Sequence, residues 1–160
     1  VNEEGVIHLI NPLTDEPIAT FTIKLTDAIA LTLAWSADDS KLAVGDSKGQ
    51  IHILDINTGE TTSTKGHDTS IEALDWSPEH LLASAGYDGI VRIWDTNVIP
   101  PVLFQTIDNI QPVFDAAWSP NGEQLAYGGL TDTAQQVFEK LQTVFTSGEL
   151  SLATAASAHP

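Results

Sequence analysis

Apolar and polar positions fall into short runs, many of them alternating, separated by clusters of Gly, Asp, Asn and Ser. That spacing predicts antiparallel strands joined by tight hairpins. The runs also recur. Trp35-Ser36-Ala37, Trp76-Ser77-Pro78 and Trp118-Ser119-Pro120 lie 41 and 42 residues apart. Each is followed by a polar turn and a strand rich in small residues: Lys41 to Gly45, Leu81 to Gly86 and Gln124 to Gly129. A third strand follows in Gly49 to Asp55 and in Gly89 to Asp95, and an earlier copy of it, Gly5 to Ile10, begins the chain. Self-similarity at such a period signals an array of like units, each too small to bury its hydrophobic face alone.

After Gly129 the period changes. From Thr133 to Phe145 the apolar positions are 134, 137, 138, 141, 144 and 145, the stripe of an amphipathic helix. Thr133 with Gln136 makes a capping box, and Ser147-Gly148 supplies a stop. Gly148 to Thr154 can be laid on Gly49 to Asp55 as a resumed third strand, and Ala155 to Pro160 reads as a frayed tail. The predicted helix stands in the hairpin between second and third strands. Its apolar stripe packs on the array or leads into another domain.

The copy around Trp76 carries two further signatures, Gly66-His67 ahead of its first strand and Trp94-Asp95 at the end of its third. With these the chain resembles the WD-repeat β-propeller family, whose blades are four-stranded sheets of about 40–45 residues. The resemblance covers residues 1–129. It implies an all-β fold, a partial β-propeller of four-stranded antiparallel blades, to which the chain adds one amphipathic helix near the C-terminus. The expected organisation is a half blade over 1–27, blades over 28–65 and 66–107, and the start of a blade over 112–129. The helical insertion occupies 130–147, for which the resemblance implies a further reading, a recognition element presented to partners. The resumed strand with its tail occupies 148–160. This is about three blades, fewer than the 4–8 with which propellers close. The chain is therefore expected to be a fragment of a larger ring, or to complete one with further copies of itself.

The resemblance also implies a buried hydrogen-bonded chain of His, Ser or Thr, Asp and Trp within a blade, with a structural role; here the positions are His67, Ser84, Asp88 and Trp94. Around Trp35 the same positions read Thr26, Val44, Lys48 and Leu54, which predicts a blade held by apolar packing alone. Around Trp118 they begin Asn109 and Tyr127. Partner-facing positions of the family fall on Asp68, Thr69 and Tyr87. The implied function is a non-catalytic protein–protein interaction scaffold. The alternatives are a homo-oligomer that completes its own ring, and the propeller part of a larger multidomain enzyme or regulatory protein.

Composition narrows the partners. The chain's 160 residues suffice for one domain with a substantial core. The longest nearly apolar run, Ile29 to Trp35, falls far short of the roughly 18 residues of a membrane span. Only 6 Lys and Arg stand against 22 Asp and Glu, a net charge of −16. Such a surface does not neutralise phosphates, so nucleic acid and anionic membranes are excluded as partners and a protein or peptide, basic in character, is favoured. Without cysteine there is no disulfide, thiolate metal site or cysteine nucleophile. The acidic N-terminus without an initiator Met predicts an internal piece or a processed chain.

Sequences that mimic catalytic motifs fail on context. Gly45-Asp46-Ser47-Lys48-Gly49 has the spacing of a hydrolase nucleophile turn, yet it lies between two strands, where the turn itself calls for glycine. Gly59 to Gly66 lacks the Gly-Lys-Ser/Thr order of a phosphate loop. The histidines at 8, 52, 67, 80 and 159 show no metal-ligand spacing. His8 and His52 share the repeat phase of Arg92, which predicts the blade surface. Asp38-Asp39 reads as a solvated turn. No catalytic, cofactor-binding or metal residue is expected, and no cofactor.

Overall fold

The structure is a computed structural model that describes residues 2–109 and 111–129. Among the described residues there are twelve strands and no helix, and the strands pair antiparallel in four sheets. The first sheet is a hairpin of β1 (Asn2–Ile10) and β2 (Pro17–Thr26). The second is a meander of β3 (Ala30–Trp35), β4 (Lys41–Asp46), β5 (Gln50–Asp55) and β6 (Thr61–Lys65). The third repeats that order with β7 (Ile71–Trp76), β8 (Leu81–Gly86), β9 (Ile90–Asp95) and β10 (Val102–Asp108). The fourth pairs β11 (Val113–Trp118) with β12 (Leu125–Gly129). The helix and resumed strand expected after residue 129 lie outside the described residues.

Equivalent turns join the middle strands of the two complete sheets. Gly49 and Gly89 adopt φ of 78° and 77°, the left-handed region that a side chain disfavours. Their N–H groups donate to Asp46 O and Gly86 O, each at 3.1 Å. A Cβ on Gly49 would also collide with the carbonyl oxygens of His67 and Thr69, so this turn is pressed against the loop that leads into the next sheet.

The core sits between sheets rather than within them. Ile7, Ile23 and Leu25 of the first sheet meet Leu42, Val44 and Leu54 of the second. Ala43, Ile51 and Ile53, on the other side of the second sheet, meet Ile71, Leu74, Trp76 and Leu82 of the third. Ala83, Ala85, Val91 and Ile93 then meet Val113, Ala116, Leu125 and Tyr127 of the fourth. The middle strands are thus covered on both faces, which is why Leu81 to Gly86 is buried at every position and reads as a continuous run of small and apolar residues. A large aliphatic or aromatic side chain fully buried in such a layer contributes roughly 1.5–3 kcal/mol.

Hydrogen bonds also cross between sheets. The Trp76 indole N–H donates to Ala34 O at 3.0 Å, and the Trp118 backbone N–H donates to Asp75 Oδ2 at 2.5 Å. Where a complete sheet precedes, the repeated Leu and Trp are covered: Leu74 and Trp76 are each 7% exposed. Their counterparts behind the two-stranded first sheet, Leu33 and Trp35, are 55% and 45% exposed. Position in the array, not residue type, sets this difference.

Candidate partner-binding rim and the networks beneath it

The loop between β6 and β7 delivers His67 into the third sheet, where it is buried. Its Nδ1 lies 2.9 Å from Asp88 Oδ1 and its Nε2 2.7 Å from Ser84 Oγ. Because an ionised carboxylate only accepts, Nδ1 carries the proton and Nε2 accepts from the serine hydroxyl. Ser84 Oγ in turn accepts the indole N–H of Trp94 at 2.9 Å. The structure thus brings His67, Ser84, Asp88 and Trp94 into one chain of hydrogen bonds that ties the β6–β7 loop to β8, the β8–β9 turn and β9. Gly86 makes room for it, since a Cβ there would collide with the His67 ring and the Asp88 carboxylate.

Arg92 joins the cluster by donating from Nη1 to Asp88 Oδ2 at 3.0 Å, which brings its positive charge beside the His67 ring. Burial holds the His67 imidazole below its ordinary pKa, more than the neighbouring Asp88 raises it, and the Arg92 charge acts in the same direction as burial. The ring is neutral near pH 7. Burial opposes ionisation of Asp88, but hydrogen bonds and charge from His67, and the hydrogen bond from Arg92, outweigh it and keep the carboxyl below its usual range.

The second sheet departs from expectation. Its four matching positions hold no such chain, as their residue types dictate, yet the sheet does not rest on apolar packing alone. Asp46 and His52 are buried, and His52 Nε2–H donates to Asp46 Oδ2 at 3.1 Å while Nδ1 accepts from Ser63 Oγ at 2.8 Å. Asp46 Oδ1 accepts the backbone N–H groups of Lys48 and Gln50, both at 2.8 Å. His52 was expected on the blade surface from its phase with Arg92; it is buried because it turns toward Asp46 on the preceding strand. His8, at the same phase in the first sheet, is exposed and only 3.3 Å from Thr20 Oγ1. Asn109 is buried and its amide donates to Gln111 O at 3.2 Å.

Above these networks the loops of neighbouring sheets are stitched into one rim. Gly66 and His67 N–H donate to Gly49 O at 2.8 and 2.9 Å, Tyr87 N–H donates to Ser70 O at 3.0 Å, and Asn109 N–H donates to Gly89 O at 2.8 Å. Asp68 N–H donates to Asp88 Oδ2 at 3.3 Å, which places Asp68 and Thr69, both exposed, beside the Tyr87 turn. Tyr87 is 52% exposed and meets Phe114, 40% exposed, from the fourth sheet, with ring centroids 6.0 Å apart at 64°. This edge-to-face pair spans the junction of two sheets. Nothing in the sequence links Phe114 to Tyr87.

The carboxylates of the two hairpin turns in the second sheet are engaged locally. Gly45 to Gly49 is the β4–β5 hairpin, and its acidic residue is committed to His52 and two backbone amides. Asp38 closes the β3–β4 turn: hydrogen bonds from Ser36 and Ser40 lower its carboxyl to about 2. Among the described residues no group of three or more His, Cys, Asp and Glu side chains is placed to hold a metal ion.

Successive antiparallel sheets with shared cores, repeated Trp-Ser strands and a His–Ser–Asp–Trp chain define a β-propeller built from WD repeats. Comparison with known proteins agrees. The family model "WD domain, G-beta repeat" matches residues 59–95, and that of the anaphase-promoting complex subunit 4 WD40 domain matches residues 9–65. WD repeat-containing protein AAC3 of Dictyostelium discoideum is 31% identical over 58% of this chain and 24% of its own length. WD repeat-containing protein srw1 of Schizosaccharomyces pombe is 30% identical over 85% of this chain and 24% of its own. Anaphase-promoting complex subunit cdc20 of Dictyostelium discoideum is 29% identical over 77% of this chain and 25% of its own. Among solved structures, a chain in the crystal structure of a mitotic checkpoint complex superposes with a TM-score of 0.68 and 24% identity, over 81% of this chain and 40% of that one. The chain belongs to the WD-repeat family, and it spans about a quarter of the length of these curated relatives.

Proposed function

We propose that the chain is a non-catalytic interaction module whose rim, at Tyr87 and Phe114, docks a basic segment of a protein partner. The observation that carries this reading is the aromatic pair itself. Two large rings, both exposed, meet at the loop end of the third and fourth sheets, beside the exposed carboxylate of Asp68 and next to Asp115. A Lys or Arg side chain gains from an aromatic face within about 6 Å and from neighbouring carboxylates, and aromatic residues are enriched where binding energy concentrates. The net charge of −16 draws cationic partners toward the surface. Protein partners also accord with the relatives, one of which is named as a subunit of the anaphase-promoting complex. In this reading His67, Ser84, Asp88 and Trp94 hold the rim in place and touch no ligand.

The test is fluorescence anisotropy with a panel of labelled Lys/Arg-rich peptides and acidic controls of equal length. Replacing Tyr87 and Phe114 together with Ala is expected to weaken binding of the basic peptides by at least about tenfold while leaving the circular dichroism spectrum unchanged. Binding should also weaken as salt is raised. Retained affinity in the double variant, or equal binding of the acidic controls, overturns the assignment.

A further inference from the structure

The rim changes sign across the junction between the second and third sheets. On the second sheet it carries Lys48, in the β4–β5 turn, and Lys65, the last residue of β6, both exposed. The equivalent positions of the third sheet are acidic. Lys48 precedes Gly49 as Asp88 precedes Gly89, and Lys65 pairs with Gln50 as Asp108 pairs with Ile90. Asp88 is engaged below with His67 and Arg92, whereas Asp108 is exposed. Asp68, exposed as well, follows Lys65 by three residues on the loop that joins the two sheets.

With 22 Asp and Glu against 6 Lys and Arg, a lysine of this chain has acids to choose from. Yet among the described residues neither Lys48 nor Lys65 forms an ion pair. Lys65 Nζ instead donates to Lys48 O at 2.7 Å, which holds one ammonium over the β4–β5 turn and leaves two of its N–H groups for another acceptor. Asp46, the carboxylate of that turn, is buried and committed to His52 and to the backbone N–H groups of Lys48 and Gln50. Asp27, which leads into the second sheet as Asp68 leads into the third, is exposed and pairs with neither lysine.

We propose that the rim takes a segment carrying both charges, with an Asp or Glu over Lys48 and Lys65 and a Lys or Arg over Asp68 and Tyr87. This rests on the docking site inferred above and narrows its partner, because a purely basic segment sets like charge against the two lysines. Chain geometry fixes the spacing. Three peptide units span at most about 11 Å between the Cα atoms of Lys65 and Asp68, and an extended partner advances about 3.3 Å per residue, so its acid and base stand roughly three to five positions apart. The rim holds that spacing, since Gly66 and His67 N–H donate to Gly49 O and Asp68 N–H donates to Asp88 Oδ2. The preference runs against the net charge of −16, by which any segment binds less well for each acid it gains.

The test is fluorescence anisotropy of the whole chain with labelled peptides of equal length. One bears Lys-Arg with Glu-Glu roughly four residues away, the other has Gln-Gln in place of Glu-Glu, and both are made in either order along the peptide. The Glu-bearing peptide is expected to bind about fivefold more tightly, the scale of one or two exposed charge pairs. Lys48→Gln together with Lys65→Gln should abolish that preference, leaving affinity for the Gln-bearing peptide equal or higher and the circular dichroism spectrum unchanged. Moving Glu-Glu to about ten residues away should abolish it too, since an extended chain then overshoots the lysines. Equal or weaker binding of the Glu-bearing peptide overturns the inference, as does a preference that survives in the double variant or at the longer spacing. If the Gln-bearing peptide still binds, and Tyr87→Ala with Phe114→Ala weakens it, the docking site stands and only the two-charge partner falls. Peptide binding that never depends on Tyr87 and Phe114 removes the docking site itself, and the inference with it.

Discussion

The second and third sheets share strand order and the turn between their middle strands, but they satisfy that turn with different carboxylates. In the third sheet Asp88, next to Gly89, accepts the N–H of Ile90 at 3.2 Å. In the second, the residue next to Gly49 is Lys48, and Asp46 from the end of β4 accepts the corresponding N–H, that of Gln50, at 2.8 Å. Each carboxylate then takes one histidine: His67 arrives from the loop outside the sheet, His52 from the strand just after the turn. The two arrangements exclude each other. The repeat position of Asp46 is Gly86 in the third sheet, where a side chain would strike His67 and Asp88. The constant requirement is a buried acceptor for the turn amides, because an unpaired buried N–H costs about as much as a lost hydrogen bond. Which residue supplies it is free to vary.

Removing His67 is the severest way to break this comparison. His67→Ala strands Ser84 and Asp88 and leaves a void, and should cost about 4 kcal/mol in urea unfolding. A loss under about 1 kcal/mol would mean that the third sheet does not depend on its network. Asp46→Ala is next. It orphans two backbone amides and His52 in the second sheet, and about 2–3 kcal/mol is expected from the same measurement. An effect near zero there would restore the view that apolar packing suffices.

The smallest effect is in pH. Because burial holds His67 below its ordinary value, the unfolded chain binds a proton first as pH falls. The contribution is therefore fully present above about pH 6.5 and is lost on acidification, by no more than about 1.4 kcal/mol per pH unit. Asp88, held below its own usual range, adds a further loss below about pH 4. His67→Gln should flatten the upper part of this profile in urea midpoints measured from pH 8 to 5, and an unchanged slope would show that another group carries it.

The repeated Trp-Ser strands announced the array because strand period and turn residues are local signals, set within a few positions of each other. The His67 chain was legible through resemblance, since all four of its residue types stand at the family's spacing. Asp46 and His52 were not. Position-by-position alignment compares Lys48 with Asp88 and finds the acid gone, whereas in space the carboxylate has only moved back along the same turn. Phe114 was hidden for a different reason: its partner, Tyr87, lies on another sheet, and their approach follows from how two sheets pack. The exposure of Trp35 beside the burial of Trp76 has the same origin, for one residue type in one repeat phase reports two environments.

Each core layer is owned jointly by two sheets, so no repeat carries a complete interior of its own. A duplicated segment of such a gene inherits one finished face and one that awaits a neighbour, and a copy inserted in frame meets a surface already shaped to receive it. Lengthening the array by whole repeats therefore preserves every existing contact but one junction, whereas adding half a repeat would leave both new surfaces bare.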